Sequence, residues 1–135
     1  MAYWLIKSEP GTYPIEQMKK DKRTFWDGVR NYQARNNLRA MKKGDLCLFY
    51  HSVTNPGVVG LVEIVKEAYQ DPTTNETAWV VVDVAYKETF KNVVSLESIK
   101  QNKALAEMVL VKSSRLSVQP VRQEEFEIIT ALARK

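Results

Sequence analysis

Three apolar, strand-forming runs separated by two strong turns constrain this chain more than any other feature. Residues 45–51, DLCLFYH, are a continuous apolar run of strand length and are expected to be buried. SVTNPG follows and must turn the chain. VVGLVEIVKEAYQ (58–70) is the second run, with Gly60 inside it marking a bulge or a close approach of backbone. DPTTNE turns again, and TAWVVVDVAYKETF (77–90) is a long third run rich in β-branched residues. Strands spaced by turns point to a curled sheet or small barrel rather than a doubly wound sheet, which needs regular strand–helix alternation.

The rest of the chain supplies flanks. AYWLIKS (2–8) reads as a first strand, and Pro14 suits the start of a short helix through about Lys20. MKKDKR is a polar connection. A helix is expected over 30–41, closed by Lys42, Lys43 and Gly44. Ser95 can cap a short helix, LESIKQN. Residues 108–120 read as one or two extended pieces. A last helix follows Pro120, with Phe126, Ile129 and Ala133 on its inner face. The expected class is α+β: a curled sheet or small β-barrel of about five to six strands flanked by helices, in a single domain over 1–135.

Charge is uneven. The net charge is +4, but residues 1–60 hold ten Lys/Arg against five Asp/Glu, and residues 61–135 hold ten against eleven. A basic half suits a polyanion as partner, and equally an ordinary solvated surface. Cys47 is the only cysteine, which fits a reducing compartment, and the cytoplasm is the expected location. One Cys and one His cannot build a zinc site, so no metal and no cofactor is expected. Neither a signal peptide nor an apolar run long enough to span a membrane is present, so no membrane partner is expected.

The stretch TFWDGVRNYQARNN (24–37) carries the most chemical information. Trp26 precedes Asp27-Gly28, a turn signal. It is either a plug for the end of the sheet or a stacking wall for a flat ring. On a helical wheel, Ala34, Leu38 and Met41 form the core stripe, while Arg35, Arg39 and Lys43 gather on the far side with Tyr32. Such a face can track phosphates or can simply be solvated. Asn31 lies at the edge of the core stripe. Its amide either clamps backbone or reads a ligand edge. Lys7 and Ser8 end the first strand before Pro10, and Arg115-Leu116-Ser117 interrupts an apolar stretch. His51 ends a buried strand. As a catalytic base it would need Ser52 or Ser8 as nucleophile, and no nucleophile elbow is present.

Taken in order, WLIKSEP (4–10), WDGVRNYQARNNLRAMKKGD (26–45), FYHS (49–52), GLVEIVKEAYQD (60–71) and RLSVQP (115–120) resemble the EVE domain family over nearly the whole chain. The resemblance is to its small bacterial members and its thymocyte nuclear protein branch. It implies a PUA-like β-barrel related to the YTH domains that read N6-methyladenine, with a pocket for a flipped, modified base. By that resemblance Trp26 is the pocket wall and Asn31 stands beside it. Lys7 and Ser8 match the pair that ends the first strand at the pocket, and Tyr50, His51 and Ser52 match the F-Y-H-S motif. Arg115 and Ser117 match the C-terminal R-L-S, and Trp79 is a candidate second aromatic. Arg30, Arg35, Arg39 and Lys43 would hold phosphates. The expected function is non-catalytic binding of DNA or RNA through a modified base. The alternatives are RNA binding without base preference and, last, hydrolysis of a nucleoside-like substrate.

Overall fold

The computed structural model describes residues 1–135. The three turn-separated runs become β3 (Leu46–His51), β4 (Gly57–Gln70) and β5 (Val80–Ser95), each antiparallel to the next. β1 (Tyr3–Ser8) pairs in parallel with β3, from Tyr3 opposite Leu46 to Ser8 opposite His51. β6 (Val118–Val121) runs antiparallel on the other side of β1, and β2 (Arg23–Phe25) antiparallel to β5. The order across the sheet is β2-β5-β4-β3-β1-β6.

The six strands curl but do not close, which corrects the barrel alternative. Both edges are built to stay unpaired. β2 is three residues long, and β6 carries Pro120, which has no N–H to offer a further strand. Helix α2 (Tyr32–Ala40) bridges the open side by packing on β4, β5 and β6. Asn37 Nδ2 donates to Val118 O of β6 at 2.7 Å, and Arg35 Nη1 donates to Ala78 O, just ahead of β5, at 3.3 Å. The helix therefore does the closing that a pairing of β2 with β6 would do in a barrel.

β1 and β3 are buried on both faces, which is why they read as unbroken apolar runs. Trp4, Ile6, Cys47 and Phe49 face one core, completed by Ile15 and Met18 of α1 (Ile15–Asp21) and Ala34 and Leu38 of α2. Leu5, Leu48 and Tyr50 face the other. That core is roofed by α3 (Leu96–Gln101), a 3-10 turn (Lys103–Leu105), α4 (Val109–Lys112) and α5 (Gln123–Ala133). Phe126, Ile129 and Ala133 are buried there as the helical spacing predicts. Ser95 caps α3, its Oγ accepting from Ser98 N at 3.1 Å. Gly60 serves both expected purposes. The β4–β5 register shifts beside it, and a Cβ there would lie 2.7 Å from Glu88 O and from Ile15 Cδ1.

Two stretches differ from the sequence reading. Residues 109–112, expected to be extended, form the single helical turn α4, which carries Leu110 into the second core. Their β-branched character favours a strand, and burial of Leu110 overrides it. The polar run MKKDKR holds the last turn of α1 and the start of β2, an edge strand too short for periodicity to reveal. No helix is long and apolar enough to cross a membrane.

Candidate nucleic-acid interface

The site is built where β1, α1 and β2 meet. Just past β2, Trp26 N donates to Val82 O at 2.8 Å, so pairing with β5 fixes where the indole stands. The ring meets Phe49 edge-on at 5.6 Å and 76°, and Tyr13 at 5.9 Å and 74°. Gly28 follows with φ +78°, a conformation that side chains resist, and swings the chain toward α2. Beside these rings opens a pocket of about 520 Å³. Its lining includes Lys7, Ser8, Tyr13, Thr24, Trp26, Val29, Arg30 and Ser117. That size lies within the usual range of small-ligand sites, about 300–1,000 Å³.

The pocket frame is held together by hydrogen bonds. Ser8 Oγ donates to Tyr13 O, and Lys7 N donates to Ser117 O at 3.0 Å. Tyr13 OH donates to Asp21 Oδ2 at 2.7 Å, and Gln17 Nε2 holds the other carboxylate oxygen at 2.9 Å. Burial, reinforced by Asp21, pushes the Tyr13 phenol well above its ordinary pKa, so it stays a neutral donor. Behind the Asp27-Gly28 turn sits Asp71, fully buried. Burial alone would raise its pKa. The hydroxyl and amide of Thr73, the Arg30 guanidinium and the Gly28 amide all donate to it, and together they hold it at about 2. This carboxylate ties the pocket loop to the β4–β5 loop.

The three tryptophans separate cleanly. Trp4 is buried and its indole N–H donates to Asp45 Oδ2 at 2.9 Å. Trp79 is buried and its N–H donates to Glu76 Oε2 at 2.7 Å, with Tyr32 against its ring at 5.0 Å and Arg30 over it at 5.6 Å. Trp26 is half-buried, and no protein group accepts from its N–H.

Of the residues singled out in the sequence, the structure brings Lys7, Ser8, Trp26, Arg30 and Ser117 to one pocket. Others lie elsewhere. Asn31 is the N-cap of α2, its Oδ1 accepting from Ala34 N at 2.9 Å, and it lines a separate shallow cleft with Arg115. Tyr50 faces the opposite core. His51 Nε2 accepts from Ile15 N at 3.0 Å and so satisfies the first amide of α1, which no side chain of its own caps. Burial lowers the His51 pKa, partly countered by Glu16. Ser52 ties β3 to β1, its amide donating to Ser8 O at 2.9 Å. Trp79 stands outside the pocket lining. Arg30 is bound to Asp71 at 3.0 Å, and Arg35 is held by Asn36 and Ala78 O. Arg39 and Lys43 are exposed on and just past the end of α2. No group of three His, Cys, Asp or Glu side chains converges in a metal-holding arrangement.

Sequence reasoning missed Tyr13, Thr24 and Val29 as lining and Asp71 as anchor. Of these, Tyr13 alone carried no signal: Thr24 and Val29 lie in the TFWDGVRNYQARNN stretch, and Asp71 is the last residue of the GLVEIVKEAYQD segment.

Comparison with known proteins places this geometry. The human thymocyte nuclear protein 1 is 40% identical, with 99% of this chain and 75% of that protein aligned. The structure of the human THYN1 protein in complex with 5-methylcytosine-containing DNA superposes with a TM-score of 0.91 at 41% identity, covering 100% of this chain and 99% of that one. The YTH domain of Mmi1 shares the fold, with a TM-score of 0.59 at 12% identity over 97% of this chain and 86% of that one. The EVE domain family model matches residues 2–132, and the chain belongs to the EVE domain family.

Proposed function

We propose that this protein is a non-catalytic nucleic-acid-binding domain that takes a flipped, modified base into the Trp26 pocket. The observation that carries this reading is the open aromatic corner: a half-buried indole with an unused N–H, set nearly perpendicular to Tyr13 on the wall of a pocket large enough for a base. A base stacked on Trp26 presents its edge to Tyr13 and to the polar groups of Ser8, Thr24 and Ser117. The human THYN1 complex with 5-methylcytosine-containing DNA supports the ligand class. Arg39 and Lys43 lie free for backbone phosphates, whereas Arg30 and Arg35 first serve the protein's own loops.

The energetics set the expected behaviour. One buried methyl adds about 0.8 kcal/mol. Extrusion from a duplex costs a few kcal/mol and less from a single strand. One pocket therefore binds weakly and needs the basic face to help, which makes binding salt-sensitive. Catalysis has little to work with: the Nε2 lone pair of His51 is occupied by Ile15 N–H, and neither Ser8 nor Ser52 hydrogen-bonds the imidazole. We place the protein in a reducing compartment, the cytoplasm, in keeping with its lone buried thiol.

The test is fluorescence anisotropy with short DNA and RNA strands, each carrying one modified or unmodified base. Trp26→Ala is expected to lose about 1–3 kcal/mol of binding and the preference between bases. Uniform binding to every strand, unchanged in Trp26→Ala, would sink the reading in favour of general RNA binding.

A further inference from the structure

A second, shallower cleft of about 310 Å³ is lined by Asn31, Gln33, Ser113, Ser114, Arg115 and Leu116. Two chain segments carry it directly into the Trp26 pocket. Arg30 lines the pocket and Asn31 the cleft; Ser117 lines the pocket and Leu116 the cleft. The two hollows are thus neighbours along one surface, lined by consecutive residues on each side.

The chemistry of the cleft is distinctive. The chain has seven arginines. Arg23, Arg30, Arg122 and Arg134 each pair with a carboxylate, and Arg35 is held by Asn36 and by Ala78 O. Arg39 and Arg115 alone make no hydrogen bond or ion pair, and only Arg115 lines a hollow. None of the residues around it in the cleft is acidic; Asn31, Gln33, Ser113 and Ser114 bring amides and hydroxyls instead. Asn31 uses its Oδ1 for the helix cap, which leaves its amide N–H groups as donors. An unpaired guanidinium among neutral donors suits a phosphodiester, with its two non-bridging oxygens, better than a base edge or a cation.

We infer that this cleft binds the phosphodiester adjoining the flipped nucleotide, with Arg115 as the residue that contacts it. The inference rests on the base-pocket reading above and extends it. Arg115 then belongs to the nucleic-acid backbone, not to the base, and the cleft sets on which side of the flipped base the strand is gripped.

The experiment uses a short single-stranded DNA with one central 5-methylcytosine, and the same strand with an uncharged methylphosphonate on either side of that nucleotide. Wild type, Arg115→Gln and Trp26→Ala are titrated at several salt concentrations. For wild type, one of the two methylphosphonates is expected to weaken binding about fivefold or more. Arg115→Gln should lose as much on the unmodified backbone, lose nothing further from that methylphosphonate, keep its preference for the modified base, and show a salt slope shallower by about one. Equal losses from the methylphosphonate in wild type and Arg115→Gln overturn the inference, as does an Arg115→Gln variant that binds like wild type, while Trp26→Ala still reports on the base pocket. If Arg115→Gln behaves as expected but Trp26→Ala binds normally, the phosphate contact stands and the base reading fails. If wild type binds none of the strands, both fall.

Discussion

The corners around Trp26 and Trp79 contain nearly the same parts arranged to opposite ends. Each has an indole, a tyrosine and an arginine nearby, and Arg30 touches both. At Trp79 the parts close on one another. Tyr32 lies tilted by 33° on the ring, Arg30 covers it, and Glu76 accepts a hydrogen bond from the indole N–H. At Trp26 the neighbouring rings stand at 74° and 76°, edges against faces, and one side of the indole is left to the pocket. Aromatic residues that satisfy each other make a plug, and those held apart by the frame make a site. What holds them apart is hydrogen bonding at a distance: Asp21 on Tyr13, Val82 on the backbone of Trp26, and Asp71 on the loop between the two corners.

The sharpest way to break this comparison is to truncate the plug. Trp79→Ala should destabilise the fold by about 3–5 kcal/mol, as loss of a buried indole does. Chemical denaturation measures it, and the folded fraction should still discriminate bases. A variant that stays fully stable but loses base preference would mean the two corners have their roles reversed.

The next effect lies between the corners. Asp71→Asn removes the charge that Arg30, Thr73 and Gly28 share, and should cost about 2–3 kcal/mol. The pH dependence gives it a signature. Asp71 is held at about 2, below its ordinary value of 3.8, so the unfolded chain binds its proton more readily. Its contribution is complete above the unfolded value and disappears as pH falls toward 2. Wild type should therefore lose stability across that acid window, and Asp71→Asn should lose less there. Parallel acid curves for the two proteins would show that the carboxylate does not hold the loops.

How much of this was legible in the sequence follows from the kind of signal each part carries. β3, β4 and β5 were plain because long apolar runs ended at Asn-Pro-Gly and Asp-Pro turns. α5 was plain because Phe126, Ile129 and Ala133 keep helical spacing. β2 was invisible because three residues have no period, and α4 was misread because Val109, Leu110 and Val111 favour strands until tertiary burial overrules them. Trp26 stood out by its place beside a turn, and the family segments carried Lys7, Ser8 and Ser117 to the same pocket. Tyr13 could not be found, since its role depends on Asp21 and Trp26 approaching it in space. Asn31 and Arg35 illustrate the converse limit: polar residues on a basic helix look available to a ligand, yet one caps the helix and the other ties it to Ala78.

The smallest expected effect concerns the wall opposite Trp26. His51 accepts the first amide of α1, two residues beyond Tyr13, and so fixes where that wall begins. Burial lowers its pKa, with Glu16 opposing. Because the folded protein binds this proton less readily than the unfolded chain, His51 contributes stability above its ordinary value of 6.5 and loses it as pH falls through the lowered one. Protonation also turns Nε2 from an acceptor into a donor facing the Ile15 N–H, which the start of α1 cannot accommodate. Wild type should thus lose about 1 kcal/mol or less on mild acidification, together with some base affinity as Tyr13 loosens. His51→Gln supplies a carbonyl acceptor without a proton to gain, so its stability and binding should stay flat across the same range. If affinity falls equally in both proteins, the pH dependence belongs to the ligand or to another group, and the Tyr13 wall is held without help from His51.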